Sequence, residues 1–435
     1  MSTPAAPRAL TLPAATALVV GQVIAVGIFL TPGTIIRTLA SPLWVLGLWA
    51  VMGGMAVCGA LAYGALAARF PQAGGGYVYL REAYGPRVAF AYGWKCLLVM
   101  DPGITAALAA GFATYVAYLV PLTPFAVRLV AVAPIAAFAL LHITGVRLGA
   151  GVLSTVAALK IVLVVGLTVA AFLSPAASLS HFTPFAARAA GSPPLAGALA
   201  GAFVAAFFSF GGWWEVTKIA GEVARPSWTL PRALVVGLVT VTLCYASATM
   251  AFLAVVPPGQ IAAGDAVVAQ VGDAIFGSGG GTVVALIVIV CVLGSLGGMQ
   301  MVAPRLYVAM AEDGLFPSGA AASHPRFGTP ARAIAIQAGL ASLLVLLGSF
   351  DSIVAYFVFA TVGFIAATVA GVFILQRRNP TLVVPGHPWT TMSFIALVFV
   401  LMGLLAVSQP VQATLGAAVV AAAWPVHAVM ERRRR

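Results

Sequence analysis

Residues 20 to 29 read VGQVIAVGIF, in the middle of an apolar run long enough to cross a membrane. Gly21 and Gly27 stand where Ala or Leu would hold a helix better, since glycine costs roughly 1 kcal/mol against alanine in a helix interior. Gln22 lies beside the first of them. The fold turns on whether this run is one continuous helix or a broken one.

The surrounding chain has 435 residues, of which 62% are hydrophobic and 7% charged, with a mean hydropathy of +1.08. No water-soluble globular protein presents such a composition to solvent, so the chain reads as an integral membrane protein. A bilayer core about 30 Å thick needs roughly 20 apolar residues per helix, and about twelve such runs recur. They are predicted at 13–38, 43–68, 88–119, 127–142, 151–173, 196–219, 233–256, 281–304, 333–349, 353–375, 390–407 and 411–430. The first is too long for the apolar region of a signal peptide and is followed by no small-residue cleavage site, so it is expected to remain in the mature protein. A β-barrel would need roughly 10-residue alternating segments; these runs are continuous and rich in Gly and Ala. The predicted class is an all-α membrane protein.

The net charge of +12 is explained by topology. With the N-terminus inside and twelve spans, one side receives Arg8, Arg69, Arg81, Arg87, Arg147, Lys218, Arg225, Arg232, Arg305, Arg326, Arg332, Arg377, Arg378 and the terminal run from Arg432 to Arg435. The other receives only Arg37, Arg128 and Arg188. The positive-inside rule then places both termini in the cytoplasm of a multi-pass protein of the inner cell membrane, with the terminal arginines at anionic headgroups. No aromatic-basic module accompanies the charge, which argues against nucleic acid as a partner. Cys58, Cys96, Cys244 and Cys291 lie in or at the ends of apolar spans without C-x-x-C spacing, and the histidines are scattered. No disulfide, metal or other cofactor is expected, and no nucleophile–base pair suggests an enzyme.

A second interruption, AFFSFGGWWEV at 206–216, places Gly211 and Gly212 inside the sixth span. The first span opens one group of five helices and the sixth opens the next. The expected organisation is a single membrane domain with five-helix repeats at 13–173 and 196–375 and two additional helices at 390–430. Corresponding interruptions in two halves point to a transporter's binding site. Backbone unwound in hydrocarbon strands N–H and C=O groups at several kcal/mol each, so it persists only where protein, water or a ligand satisfies it. The helix start after a break offers N–H groups and a positive dipole to a carboxylate, and the carbonyls before it suit an ammonium group. Close helix packing is the alternative use of such glycines.

Charged residues within spans need partners. Lys160 lies in the middle of the fifth span and is expected to bridge it to the backbone of the broken first span and to eighth-span hydroxyls such as Ser295, taking the place of a sodium ion; a purely structural tether is the alternative. In the third span, Lys95 is near enough to the end to reach the interface, while Asp101, beside Pro102 and Gly103, is deeper. Glu215 follows the second break and is spaced to pair with Lys218. Asp101 and Glu215 are both candidates for polar contact with substrate.

Four stretches then carry a family resemblance: GQVIAVGIFLTP (21–32), LAARFPQAGGGYVYLREAYGP (66–86), the FSFGGWWEVTKIAGEV segment (208–223) with its following prolines, and APRLYVAMAEDGLFP (303–317) with HPRFGTP (324–330). The chain resembles the amino acid–polyamine–organocation transporters, most closely their prokaryotic L-type amino acid transporter-like branch, over nearly its whole length. The resemblance implies a LeuT-type five-plus-five inverted repeat with two extra C-terminal helices, and alternating access around the two breaks. It implies N–H groups of Ala25, Val26 and Gly27 on the substrate carboxylate, carbonyls of Ile24, Phe208 and Phe210 on the amine, Ser209 and Gly211 within the same break, and Phe208 as an aromatic gate. Lys160 matches the lysine that stands in for sodium in this branch. Two departures stand out: Ala25-Val26-Gly27 where the family usually reads Gly-Ser-Gly, and Gly64 where it usually carries Glu. The function implied is sodium-independent exchange, or proton-coupled uptake, of small neutral amino acids. A polyamine or other amine transporter is the alternative, and from another class a channel or membrane sensor. Nothing in the sequence identifies an accessory subunit.

Overall fold

The computed structural model describes residues 10–24, 27–71, 74–145, 150–189, 191–261, 266–312, 314–315, 319, 322 and 324–432. Within them the chain is nearly all helix, and the β-structure is one isolated bridge between Leu10 and Val223. The first predicted span is divided into α1 (Leu12–Val23), α2 (Gly27–Leu30) and α3 (Pro32–Leu39). There follow α4 (Pro42–Arg69), α5 (Gly76–Tyr84), α6 (Pro86–Lys95), a π-helical turn (Cys96–Met100), α7 (Asp101–Leu119), α8 (Pro124–Ile143) and α9 (Ala150–Leu173). The second half comprises α10 (Leu195–Phe210), a 3₁₀ segment (Trp213–Glu222), α11 (Pro226–Val255), α12 (Val267–Phe276), α13 (Gly280–Val302), α14 (Pro304–Glu312), α15 (Ala331–Leu347), α16 (Phe350–Arg378), α17 (Trp389–Ser408) and α18 (Pro410–Arg432).

Proline sets many of these starts. It is the first residue of α4, α6, α8, α11, α14 and α18, where its missing N–H is not needed and its fixed φ suits the helix. Among the described residues, eleven helical stretches, some joining consecutive elements, are long and apolar enough to span a bilayer, and the ninth predicted span is the 17-residue α15. The seventh begins at Pro226 rather than near 233, because Pro226 opens it and Pro231 is absorbed one turn later. The segment expected as a loop between spans seven and eight contains α12, whose Val267, Val268, Ala269 and Val271 are buried. Its apolar stretch is too short to register as a span. Large side chains such as Leu140, Val162, Leu243, Phe399 and Val407 are more than half exposed, the surface expected of helices facing lipid rather than water.

Small residues let the helices approach closely, as is general in membrane packing. A Cβ added at Gly53 would run into Thr242, one at Gly237 into Val19, and one at Gly294 into Val156. Gly64 belongs to the same set: its added Cβ would lie 2.8 Å from the Cα of Pro231. That contact with rigid backbone leaves no room for a side chain at Gly64. Gly64→Glu should therefore lose about 1–3 kcal/mol through overpacking alone, read as a lower melting temperature and a smaller monodisperse fraction in detergent; wild-type stability would contradict the packing.

Candidate substrate site

Helix α1 stops at Val23. The Ile24 N–H still donates to Val20 O at 2.7 Å, after which ψ swings to 65° and the chain leaves the helix. Ala25 and Val26 lie outside the described residues. The helix resumes at Gly27, and bonds of 2.9 Å from Thr31 N–H to Gly27 O and from Ile35 N–H to Thr31 O carry it through the bend. The half-helix after the first break thus runs from Gly27 to Leu39, and its N-terminal dipole end lies at the break.

The second break lies against the first. A Cβ at Gly27 would fall on the Cα of Ser209, with Ser209 Oγ at 2.9 Å. Glycine is required here by this approach, whereas an added Cβ at Gly21 would meet nothing within 4 Å, so the first glycine of the opening stretch is not a packing requirement. Thr31 Oγ1 lies 2.6 Å from Ser209 Oγ and 3.0 Å from Gly27 O, and Ser209 Oγ lies 3.0 Å from Ala205 O. Helix α10 ends at Phe210; Gly211 N–H donates to Phe208 O at 3.1 Å, and Gly212 adopts φ +100°. A Cβ there would approach Gln22 O at 3.3 Å. Beyond Gly212 the chain forms a 3₁₀ segment in place of the α-helical continuation expected to residue 219, since the left-handed glycine turns the chain and leaves Trp213 and Trp214 to pack in a tighter coil.

Tyr245 of α11 joins the two breaks. Its hydroxyl is 2.6 Å from Val23 O and 3.1 Å from Ser209 O, carbonyls at the ends of the two interrupted helices, where intrahelical partners run out. Its ring sits edge-on to Phe210 at 5.5 Å and to Trp49 at 5.3 Å. Tyr115 of α7 meets Phe29 O at 2.6 Å. Neither tyrosine, nor Thr31, was singled out by sequence reasoning. The available signals were a phenol inside an apolar span, which needs a partner when buried, and a threonine four residues after Gly27 on the same helix face. Phe208 packs edge-on against Phe350 at 5.6 Å and Phe357 at 5.9 Å, both on α16.

The charged candidates divide. Lys160 is buried, and its Nζ donates to Ser295 Oγ at 2.6 Å, joining α9 to α13; among the described residues the expected bond to the backbone of the first break is not made, and Ala25 and Val26 lie outside them. Asp101 is buried with its Oδ2 accepting from the hydroxyl of Tyr307 on α14. Lys95 does not reach the interface. It is 1% exposed, with Nζ 3.2 Å from Met100 Sδ and 4.5 Å from the Tyr92 ring centroid, because α5 and α16 close over this end of α6. Glu215 follows the second break directly, its N–H donating to Gly212 O at 3.0 Å; the Lys218 side chain is outside the described residues. The site that the described residues assemble is therefore built mainly of backbone, hydroxyls and aromatic rings, with Lys160–Ser295 as a separate clamp.

Comparison with known proteins agrees with this architecture. The family model for amino acid permeases matches residues 10–427. The chain is 30% identical over 399 residues to the mouse b(0,+)-type amino acid transporter 1, covering 91% of this chain and 80% of the relative. It is 27% identical to the serine/threonine exchanger SteT of Bacillus subtilis, covering 96% and 95%, and 26% identical to the human large neutral amino acids transporter small subunit 2, covering 96% and 79%. The chain belongs to the amino acid permease family, a multi-pass membrane transporter and not an enzyme.

Proposed function

We propose that this permease exchanges small neutral amino acids across the cytoplasmic membrane by alternating access, without sodium, with both termini in the cytoplasm and two five-helix repeats followed by two extra helices. The observation that carries the reading is the meeting of the two breaks at Gly27 and Ser209. An amino acid's carboxylate and ammonium are the constant parts of every substrate in the class. A helix start at Gly27 and the carbonyls of Ile24, Phe208 and Phe210 are backbone groups that can read them without a side-chain charge. Ser209 and Gly211 complete the second break, and the missing Gly-Ser of the first is taken by Ala25 and Val26. The close Gly27–Ser209 approach and the Phe208 ring held by Phe350 and Phe357 favour a small side chain, in keeping with a serine/threonine exchanger among the relatives.

The amine-transporter alternative calls for an acid at the breaks. Of the two acids, Asp101 is instead bonded to Tyr307, while Glu215 follows the second break with its N–H on Gly212 O; backbone recognition of an amino acid is the better reading because the two breaks meet through backbone at Gly27 and Ser209. Lys160, on Ser295, supplies a fixed cation where a sodium-coupled transporter would place its ion.

The reading is tested by counterflow in proteoliposomes loaded with serine, threonine or alanine. Saturable exchange should continue at full rate when choline replaces sodium. Lys160→Ala removes a charged hydrogen bond worth about 1.5–3 kcal/mol and should slow exchange at least tenfold while folded protein remains; strict sodium dependence, or full activity of the variant, would sink the assignment. Gly27→Val should abolish exchange and amino acid binding in protein that still reaches the membrane, because the new side chain collides with Ser209. Normal uptake by that variant would remove the ligand from this position.

A further inference from the structure

Arg188 is one of three basic residues that the proposed topology sets on the outer side, where membrane proteins carry few arginines. It lies in the connection between α9 and α10 and is half-buried. Its guanidinium donates from Nη2 to Thr38 O at 2.9 Å, from Nε to Leu39 O at 3.1 Å and from Nη1 to Pro193 O at 2.7 Å. Each of its nitrogens is thus given to a backbone carbonyl. Thr38 and Leu39 end the half-helix that starts at Gly27, and the last carbonyls of a helix have no partner within it. A cation at that end also complements the negative pole of the helix dipole.

The connection around Arg188 is fastened at both ends. Ala40 turns the chain through φ 49°, and its carbonyl accepts from Ala189 N–H at 3.0 Å. Ser41 Oγ donates to Phe185 O at 3.1 Å and to Ala186 O at 3.2 Å, and Leu43 N–H donates to Phe185 O at 3.1 Å. Earlier in the connection, Ser178 N–H donates to Ala254 O of α11 at 2.8 Å, and His181 Nδ1 lies 2.8 Å from the same oxygen. Helix α11 carries Tyr245, whose hydroxyl bonds the carbonyls at both breaks. One outer segment therefore braces two of the elements that meet at the substrate site.

The half-helix is a short lever. From Gly27 to Leu39 it is about 20 Å long at roughly 1.5 Å per residue, and its inner part is held at two places, Phe29 O by Tyr115 and Thr31 Oγ1 by Ser209. Those contacts fix where it pivots. The contact with Arg188 at the other end fixes its tilt, and tilt swings the Gly27 end that faces the substrate carboxylate in the reading above. A displacement of about 1 Å at a group that positions substrate is enough to cost large factors in function.

We propose that Arg188 is a positioning residue for substrate binding: clamped on the outer end of the Gly27–Leu39 half-helix, it aims the N–H groups at the inner end toward the carboxylate of an amino acid. It touches no substrate itself. The proposal deepens the transport reading above and rests on it.

The test is equilibrium binding of serine and of serine amide to the purified full-length protein, with serine counterflow in proteoliposomes as the second readout. In the wild type, serine should bind about tenfold or more tightly than its amide, the difference made by a charged hydrogen-bond acceptor. Arg188→Gln keeps a polar side chain but loses the charge and the fork, and should cut that ratio to about twofold through weaker serine binding. Its KM for serine should rise about fivefold while the maximal rate stays within about threefold, a split that general loss of structure does not produce. Arg188→Lys keeps the charge without the fork and should fall between, at a ratio of about fourfold. Ser41→Ala loosens the same segment without touching the carbonyls of Thr38 and Leu39, and should keep the wild-type ratio. A wild-type ratio in Arg188→Gln, or an equal collapse in Ser41→Ala, overturns this proposal alone. A wild type that does not distinguish serine from its amide overturns the backbone reading of the site with it. If Arg188→Gln does not fold, a wild-type ratio in Arg188→Lys overturns the positioning role.

Discussion

Peptide groups freed from a helix inside a bilayer have no water to turn to, and each one left unpaired costs several kcal/mol. The arrangement of this protein follows from that cost. Two helices stop within the bundle, at Val23 and at Phe210, and their carbonyl ends are brought to one phenol, Tyr245, which belongs to neither. The Thr31 and Ser209 hydroxyls link the restarted first helix to the end of α10. In the proposed reading, the remaining backbone groups at the breaks receive a ligand with one anionic and one cationic end.

In the proposed reading, the same economy separates recognition from the buried charges. Recognition is assigned to backbone groups that meet where Gly27 leaves no side chain between α2 and α10. The charged side chains are held a helix or more away by partners of their own, Lys160 by Ser295 and Asp101 by Tyr307. Packing joins the two sets: Gly103 presses on Phe357, Phe357 on Phe208, and Phe208 lies at the second break.

How much of this was legible in the sequence depended on what periodicity and composition can register. Span positions were, because hydropathy over about 20 residues is a strong signal and proline marks many helix starts. Both breaks were legible from their glycines, although Gly21 proved incidental and Gly27 essential. The π-helical turn and the 3₁₀ segment were not, since a change of hydrogen-bond register leaves hydropathy untouched. The short α12 was hidden in an apparent loop for want of length. Tyr245 and Tyr307 are single hydroxyls that each bond a group over 200 residues away in the chain, Val23 O and the Asp101 carboxyl, and only the fold brings those partners together. Lys95 looked free to reach the interface because its span was read alone; beside Tyr92 of its own helix, the Phe364 ring near its ammonium comes from α16.

The central claim is that backbone at two facing breaks recognises the constant groups of an amino acid. Its most direct measurement is equilibrium binding to the purified protein of serine, of serine amide and of ethanolamine, which keep or remove the carboxylate. The account predicts that serine binds and that both analogues lose at least tenfold in affinity, about the worth of one charged hydrogen bond, while alanine in place of serine changes affinity far less. Ethanolamine binding as tightly as serine would contradict it.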